Sequence, residues 1–335
     1  CALSGQGMRI AVVEATRRET REEAGYDERV IALAWGSRRI FDGLGLWNEL
    51  ADAATAIHSI HVSDRGRPGM VHMDRESEGL PAIGYVLPAR AIGAVLDAAV
   101  ARADDVDVYC PATLTGVVQT ATHTSVQVCQ GEDTAGLQAP LLVAADGANS
   151  TLREQAGIGC RETDYRQTAI VSNVTSQLPH NHIAYERFTP EGPVALLPMS
   201  EQRCGVVWTV AADQADAVMA LDDDAFLAQL QARFGQRLGR LEQVGRRQAW
   251  PLRLVSATAS VADRLALVGN AVHTLHPVAG QGFNLGARDI AVLAEVLVDA
   301  SRRGEDIGAA VVLSRYGEWR QRDHRNVTLF TDGLA

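Results

Sequence analysis

Three groups of residues have types and spacing that chemistry can use. The first is Asp146-Gly147 with Ser150 and Arg153, set after the apolar run Leu141-Leu142-Val143-Ala144-Ala145. A buried strand would deliver Asp146 to its C-terminal end, Gly147 would permit a tight turn, and Ser150 would cap the helix that carries Arg153. An acid and an arginine at a strand-end crevice suit a polyphosphate ligand; an ordinary Asp-Gly turn with a capped helix is the plainer reading. The second group runs from Arg264 to Gly286. A buried strand ends at Gly269, Asn270 stands where a sugar hydroxyl could be bound, and Pro277, Gly280, Gly282 and Gly286 form a turn that opens a helix. The first N–H groups of a helix lack intrahelical partners and stabilise negative charge on a ligand. The third is Glu14, ending the run Arg9-Ile10-Ala11-Val12-Val13. In a dinucleotide-binding unit an acid there binds the adenosine ribose, about 20 residues after a glycine-rich phosphate loop. Only 13 residues precede Glu14, so that loop is expected upstream of residue 1. Gly5-Gln6-Gly7 lies too close to serve and reads as the turn that ends a helix.

Composition narrows the chemistry. All 31 basic residues are arginine. Without lysine there is no P-loop lysine, no Schiff base and no kinase β3 lysine. Against 41 acidic residues the net charge is −10, which argues against a nucleic-acid partner. Cys1, Cys110, Cys129, Cys160 and Cys204 are scattered and odd in number, so neither a zinc site nor a disulfide framework is expected, and a reducing cytoplasm is the simplest compartment. His180 with His182, and His273 with His276, are histidine pairs without an accompanying carboxylate or cysteine cluster; no metal is expected. No apolar run approaches a membrane span, and the N-terminal residues lack a signal-peptide layout.

These residues need elements to hold them. Apolar spacing predicts helices over 37–50, 88–103, 223–234, 282–301 and 308–329, and strands over 59–62, 113–121, 124–130, 141–145, 167–174, 182–188, 194–197, 205–210 and 265–268. From 166 to 255 the chain is strand-rich with one helix, between strand-then-helix segments on both sides. That distribution predicts an α/β nucleotide-binding domain, 1–165 and 256–335, interrupted by a mostly antiparallel sheet over 166–255. Asp222-Asp223-Asp224 reads as a helix N-terminal acid cluster. The segments 185–188 and 316–325 read as solvated strand and helix faces.

Asp146-Gly147 with Ser150 and Arg153 resembles the "DG" motif of the para-hydroxybenzoate hydroxylase-like flavoprotein aromatic hydroxylases. Gly269 to Gly286 resembles their second FAD motif, and Arg9 to Glu14 their ribose-binding strand. The resemblance spans essentially the whole chain. Gly-Asn-Ala followed by Thr-Leu-His-Pro-Val-Ala-Gly-Gln-Gly-Phe-Asn-Leu-Gly, with Gly-Ser-Arg-Arg within 32–47, is similar to the ubiquinone-pathway branch. It implies a Rossmann-like FAD-binding domain interrupted by a substrate sheet, with the first strand and glycine-rich loop missing from this chain. As it stands, the chain is therefore expected to be cut at both ends and to bind FAD poorly.

The resemblance implies roles. Glu14 would bind the adenosine ribose, Arg39 or Arg38 would lie near the flavin or its pyrophosphate, and Asp146, with Gly147 and Arg153, would sit near cofactor and reductant. Gly269 and Asn270 would take the ribityl side; Pro277, Gly280, Gln281, Gly282, Phe283 and Asn284 would surround the isoalloxazine. A cofactor-contacting Arg or Gln of many relatives falls at Ala89, with Arg90 next door. The implied reaction uses NADPH or NADH to reduce FAD and O2 to form a flavin hydroperoxide, which hydroxylates a polyprenylated methoxyphenol; no protein nucleophile is required. Val194, Leu196, Val206 and Trp208 are candidates for the substrate wall, or for ordinary sheet core. So apolar a substrate implies association with the inner face of the membrane and with other ubiquinone-biosynthesis proteins. Three other readings share the scaffold: a flavin halogenase, weakened by the missing lysine; a polyprenyl reductase; and a non-catalytic subunit of a quinone-synthesis assembly.

Overall fold

A computed structural model describes residues 1–16, 29–276 and 280–334. Pro277 therefore lies outside the described residues. Two parallel strand pairs anchor the α/β part of the fold. Ile10–Val13 pairs with Val106–Tyr109, and Leu142–Ala144 pairs with Leu265–Leu267, which also takes Val261–Ala262 as an antiparallel neighbour. Leu265, Ala266 and Leu267 are all buried, as an apolar strand covered on both faces must be. Helix Gln281–Arg302 covers this strand with Leu293, Val296, Leu297 and Ala300, and helix Ala310–Leu334 adds Val312, Leu313 and Tyr316. No helix among the described residues is long and apolar enough to cross a membrane.

Among the described residues the largest sheet has nine strands. Its centre is the run Gln248–Ala257, Cys160–Ser176, Arg203–Ala211, Val194–Pro198 and Ile183–Phe188, antiparallel throughout. Ser59–Asp64 then joins Ile183–Phe188 in parallel and carries Met70–Asp74 as the edge strand. The sheet thus recruits residues that precede 166. One face is sealed by helices Ala215–Met219 and Asp223–Phe234, the latter capped by the Asp222 carboxylate, which accepts from Ala225 N–H at 2.8 Å with Asp223 and Asp224 in its first turn. The opposite face meets a small antiparallel sheet of Val30–Ala34, Gly84–Pro88 and Thr55–Ile57.

The predicted 37–50 helix is two helices, Trp35–Gly43 and Trp47–Leu50, because Gly45 takes φ +72° between them. The predicted strand at 167–174 extends to Cys160–Ser176, bent where its register with Gln248–Ala257 shifts between Asp164 and Gln167. The 316–325 segment is a solvated face only in part, with Glu318, Trp319, Gln321, Arg322 and Arg325 exposed. Tyr316 is buried with its hydroxyl donating to Leu267 O at 2.7 Å, and Arg320 is buried as well.

Candidate functional site

Parallel pairing of Leu142–Ala144 with Leu265–Leu267 sets two strand ends side by side, and Val268 N–H donates to Ala144 O at 3.0 Å. Gly269 then turns the chain at φ +58°, a conformation a side chain resists, and Asn270 emerges exposed on a single 3-10 turn, Gly269–Ala271. Gly286 packs directly on this turn: a Cβ there would stand 3.2 Å from Gly269 Cα. On the neighbouring strand end, Asp146 is exposed and accepts from Leu152 N–H at 3.2 Å, while Ser150 Oγ caps the short helix by accepting from Arg153 N–H at 3.1 Å. Gly147 takes φ +87° with open space where a side chain would go. The Arg153 guanidinium is committed to protein. It donates to Ala271 O at 2.9 Å and Ala148 O at 2.8 Å, so it locks the two turns to each other instead of reaching for a ligand.

Gly280, at φ +59°, precedes helix Gln281–Arg302, whose first N–H groups have no side-chain cap. Asn284, expected against a flavin ring, is 2% exposed and acts as a clamp. Its Nδ2 donates to Ala32 O at 2.9 Å and Gly280 O at 2.8 Å, and its Oδ1 accepts from Ala34 N–H at 2.8 Å. One amide thereby ties the helix start to strand Val30–Ala34. Gln281 and Gly282 are half-buried, and exposed Phe283 stacks on Phe41 with ring centroids 6.4 Å apart. On helix Trp35–Gly43 the two arginines differ. Arg38 pairs with Asp42 at 2.9 Å and lies over the Trp35 and Trp47 rings, whereas Arg39 is exposed and has no ion-pair partner among the described residues. Glu14 stands half-buried at the C-terminal end of the other parallel pair, its Oε1 accepting from Thr16 N–H at 2.8 Å.

Sequence reasoning missed a polar hub beneath the Gly269 turn. Asp289 is fully buried; its Oδ2 accepts from Gly269 N–H at 3.1 Å and bonds His273 Nε2 at 3.0 Å, and its Oδ1 accepts from Arg320 Nε at 2.8 Å and bonds His324 Nε2 at 2.6 Å. Burial disfavours the charged carboxylate, but hydrogen bonds from His273 and His324 outweigh it and hold the group well below the usual carboxylate range. The ligand atoms of His273, Asp289 and His324 lie within 4.8 Å of one another, yet both carboxylate oxygens already have two partners each and a guanidinium shares the site. That arrangement is a hydrogen-bonded hub that fixes the turn.

The four substrate-wall candidates do not line a free surface. Val194, Leu196, Val206 and Trp208 are each at most 1% exposed and pack under helix Asp223–Phe234, with the Trp208 and Phe226 rings 5.3 Å apart. They are core, on the helix-covered side. Side chains alternate along a strand, so the residues between them face the other way. Ala195 and Val207, paired with each other, are half-buried on that other side, and Gly205 lies so close to strand Val30–Ala34 that a Cβ would stand 2.6 Å from Val30 Cγ2. Since Asn284 clamps the same strand, this face of the sheet looks toward the Gly280 turn. A second link runs from the cofactor segment itself: His276 Nε2 bonds Gln167 Oε1 at 3.2 Å, and its ring meets Tyr165 edge-on at 5.2 Å.

The residues fit a bound dinucleotide with a flavin. Exposed Asn270 and Asp146 stand at adjacent strand ends, glycines 147, 269 and 282 leave open space, and an uncapped 22-residue helix supplies N–H donors. Comparisons with known proteins agree. The family profile described as an FAD binding domain matches residues 1–329. The chain is 39% identical over 335 residues to "Ubiquinone hydroxylase UbiL" of Rhodospirillum rubrum, covering all of this chain and 77% of that protein. It is 30% identical over 325 residues to the 3-demethoxyubiquinol 3-hydroxylase of Escherichia coli, covering 96% and 82%. Among solved structures, p-nitrophenol 4-monooxygenase PnpA of Pseudomonas putida superposes with a TM-score of 0.78 at 18% identity, covering 98% and 82%, a likeness of fold.

Proposed function

The chain belongs to the FAD binding domain family as an FAD-dependent monooxygenase, and from that premise we propose that it hydroxylates the ring of a polyprenylated methoxyphenol in ubiquinone synthesis. NADPH or NADH serves as reductant and O2 as the oxygen source. Within the ubiquinone branch, the motif from Gly269 to Gly286 resembles that of 2-octaprenyl-6-methoxyphenol hydroxylase, and the substrate assignment follows it. The supporting observation in the fold is the juxtaposition of the Gly280 turn, through Asn284 and strand Val30–Ala34, with an apolar, half-buried sheet face. When bound, the flavin supplies the activated oxygen.

This chain's residues do the positioning. Glu14 would hold the adenosine ribose, Asn270 the ribityl side, and Asp146 and Arg39 the cofactor's polar flank. The first N–H groups of helix Gln281–Arg302 would stabilise negative charge on the reduced ring, a preorganised electrostatic contribution. Arg153 and Asn284 act one step back, by fixing the turns. The apolar face keeps water from the reacting centre and accepts a phenol with a prenyl tail. Association with the membrane's inner face and with other proteins of the pathway belongs to the same proposal.

Complementation tests it. In a bacterium lacking its ubiquinone ring hydroxylases one at a time, the gene is expected to rescue the strain that accumulates the prenylated methoxyphenol. Rescue of a different ring step would refute the substrate, and a version that carries the glycine-rich loop yet never shows flavin absorbance would refute the whole reading.

A further inference from the structure

Resting on that reading, we infer that Glu186 is the group that receives the phenolic O–H of the substrate: a carboxylate set alone in the apolar face opposite the cofactor turns. Its register fixes its direction. Glu186 pairs with Ala195 on one side and Val62 on the other, and Ala195 pairs with Val207, which pairs with Val171. All five are half-buried, whereas Val194, Leu196, Val206 and Trp208 on the other side are sealed. Glu186 thus interrupts a row of small aliphatic side chains with a single carboxyl, on the face that Gly205 presses against Val30.

Among the described residues Glu186 has no hydrogen-bond or ion-pair partner. Its strand neighbours Tyr185 and Arg187 belong to the helix-covered face, where Tyr185 meets the Phe234 ring and Arg187 donates to Phe234 O. Asp64, at the end of the adjacent strand, is engaged with Arg67 at 3.6 Å. The small sheet packed on this face contributes Val30, Ile57 and Val86. The titratable groups on or beside it are Tyr85, packed on Trp47, exposed Arg29, and His58, stacked on His182. Burial alone raises the Glu186 pKa, to about 7, with no charge acting to offset it. A half-buried acid with no partner among the described residues is costly, and a ligand that brings a donor relieves that cost.

The step is a proton transfer. The phenol O–H bond breaks, the proton passes to a Glu186 oxygen, and the electron pair remains on the phenolate oxygen, enriching the ring for hydroxylation. A base with a pKa near the working pH is suited to this task, and such transfers contribute about 10²-fold or more to rate.

Binding separates this role from a structural one. FAD-loaded protein is titrated calorimetrically with a geranylated 2-methoxyphenol and with its O-methyl ether between pH 6 and pH 8. The phenol donates to the ionised carboxylate, so its affinity should rise with pH. The ether offers no donor and buries a charge, so its affinity should fall. The ratio of the two dissociation constants is expected to change by about tenfold or more across this range. In Glu186→Gln both profiles should be flat and turnover should drop by about 10²-fold. Parallel profiles for phenol and ether in the unsubstituted protein would overturn the inference while leaving the hydroxylase reading intact, and this comparison stands even if the variant does not fold. Failure of FAD-loaded protein to bind either compound would overturn the hydroxylase reading, and the inference with it.

Discussion

Asp289 shows how a residue that touches no ligand can decide whether a binding turn exists. Its carboxylate gathers donors from the Gly269 turn, from His273, and from Arg320 and His324 on the C-terminal helix, at a fully buried position. Removing one partner from a buried charged network costs about 3–5 kcal/mol, because the charges left behind stay desolvated. Asp289→Asn keeps the shape and loses the charge facing Arg320. It is expected to lower the unfolding free energy in urea by about 3 kcal/mol and to weaken FAD binding, since Gly269 would lose its anchor. An equally stable variant with unchanged FAD affinity would show that the hub is dispensable. Little in the residue pattern pointed to it: Asp289 lies mid-helix, where an acid usually faces solvent, and its partners are 16 to 35 residues distant. Glu186 was equally hard to see, because one acid in a strand of alternating polarity reads as a solvated residue until the two faces of the sheet are told apart.

At the scale of elements, strand positions and motifs were legible, while the facing of the central strands was not. The apolar runs at 194–197 and 205–210 are strands, and the buried run at 265–268 ends at its turn, because strong hydrophobic patterning overrides local detail. Both faces of those central strands are apolar, however: Ala195 and Leu197 alternate with Val194 and Leu196, so period two carried no sign of which side holds the helices. A pair of substitutions resolves the two roles. Trp208→Ala opens the core beneath Phe226 and should cost about 3–5 kcal/mol of stability with little change in phenol affinity in the folded fraction. Val207→Phe projects into the open side and should weaken phenol binding by about tenfold while shifting stability by less than about 1 kcal/mol. The reverse pattern, read by urea melts and calorimetric titration, would return the substrate to the helix-covered face.

The whole molecule works only if its cofactor side and its sheet side stay in register, and the contacts that join them include the pairing of His273–Thr274 with Val255–Ser256, the close approach of Gly205 to Val30, and His276 docked on Gln167 and Tyr165. Composition could not show such a seam, since it joins segments more than 100 residues apart. His276 makes it sensitive to acid. The ring is fully buried, and burial pushes its pKa from 6.5 down to about 4. The folded protein therefore holds His276 neutral where the unfolded chain would protonate it. Its contribution is complete above pH 6.5 and is lost as the pH falls toward 4, by about 3 kcal/mol at about 1.4 kcal/mol per unit. Glu186 has the opposite sign in part of this window: its raised pKa makes the fold relatively more stable as pH drops from about 7 toward 4.5, so total stability alone would blur the effect. The difference between the unsubstituted protein and His276→Asn isolates it. Whatever fixed cost the smaller amide brings, the stability gap between the two proteins should narrow by about 3 kcal/mol between pH 7 and pH 4, measured by urea unfolding at each pH. A gap that stays constant would mean that His276 is not held neutral, and that the seam survives its protonation.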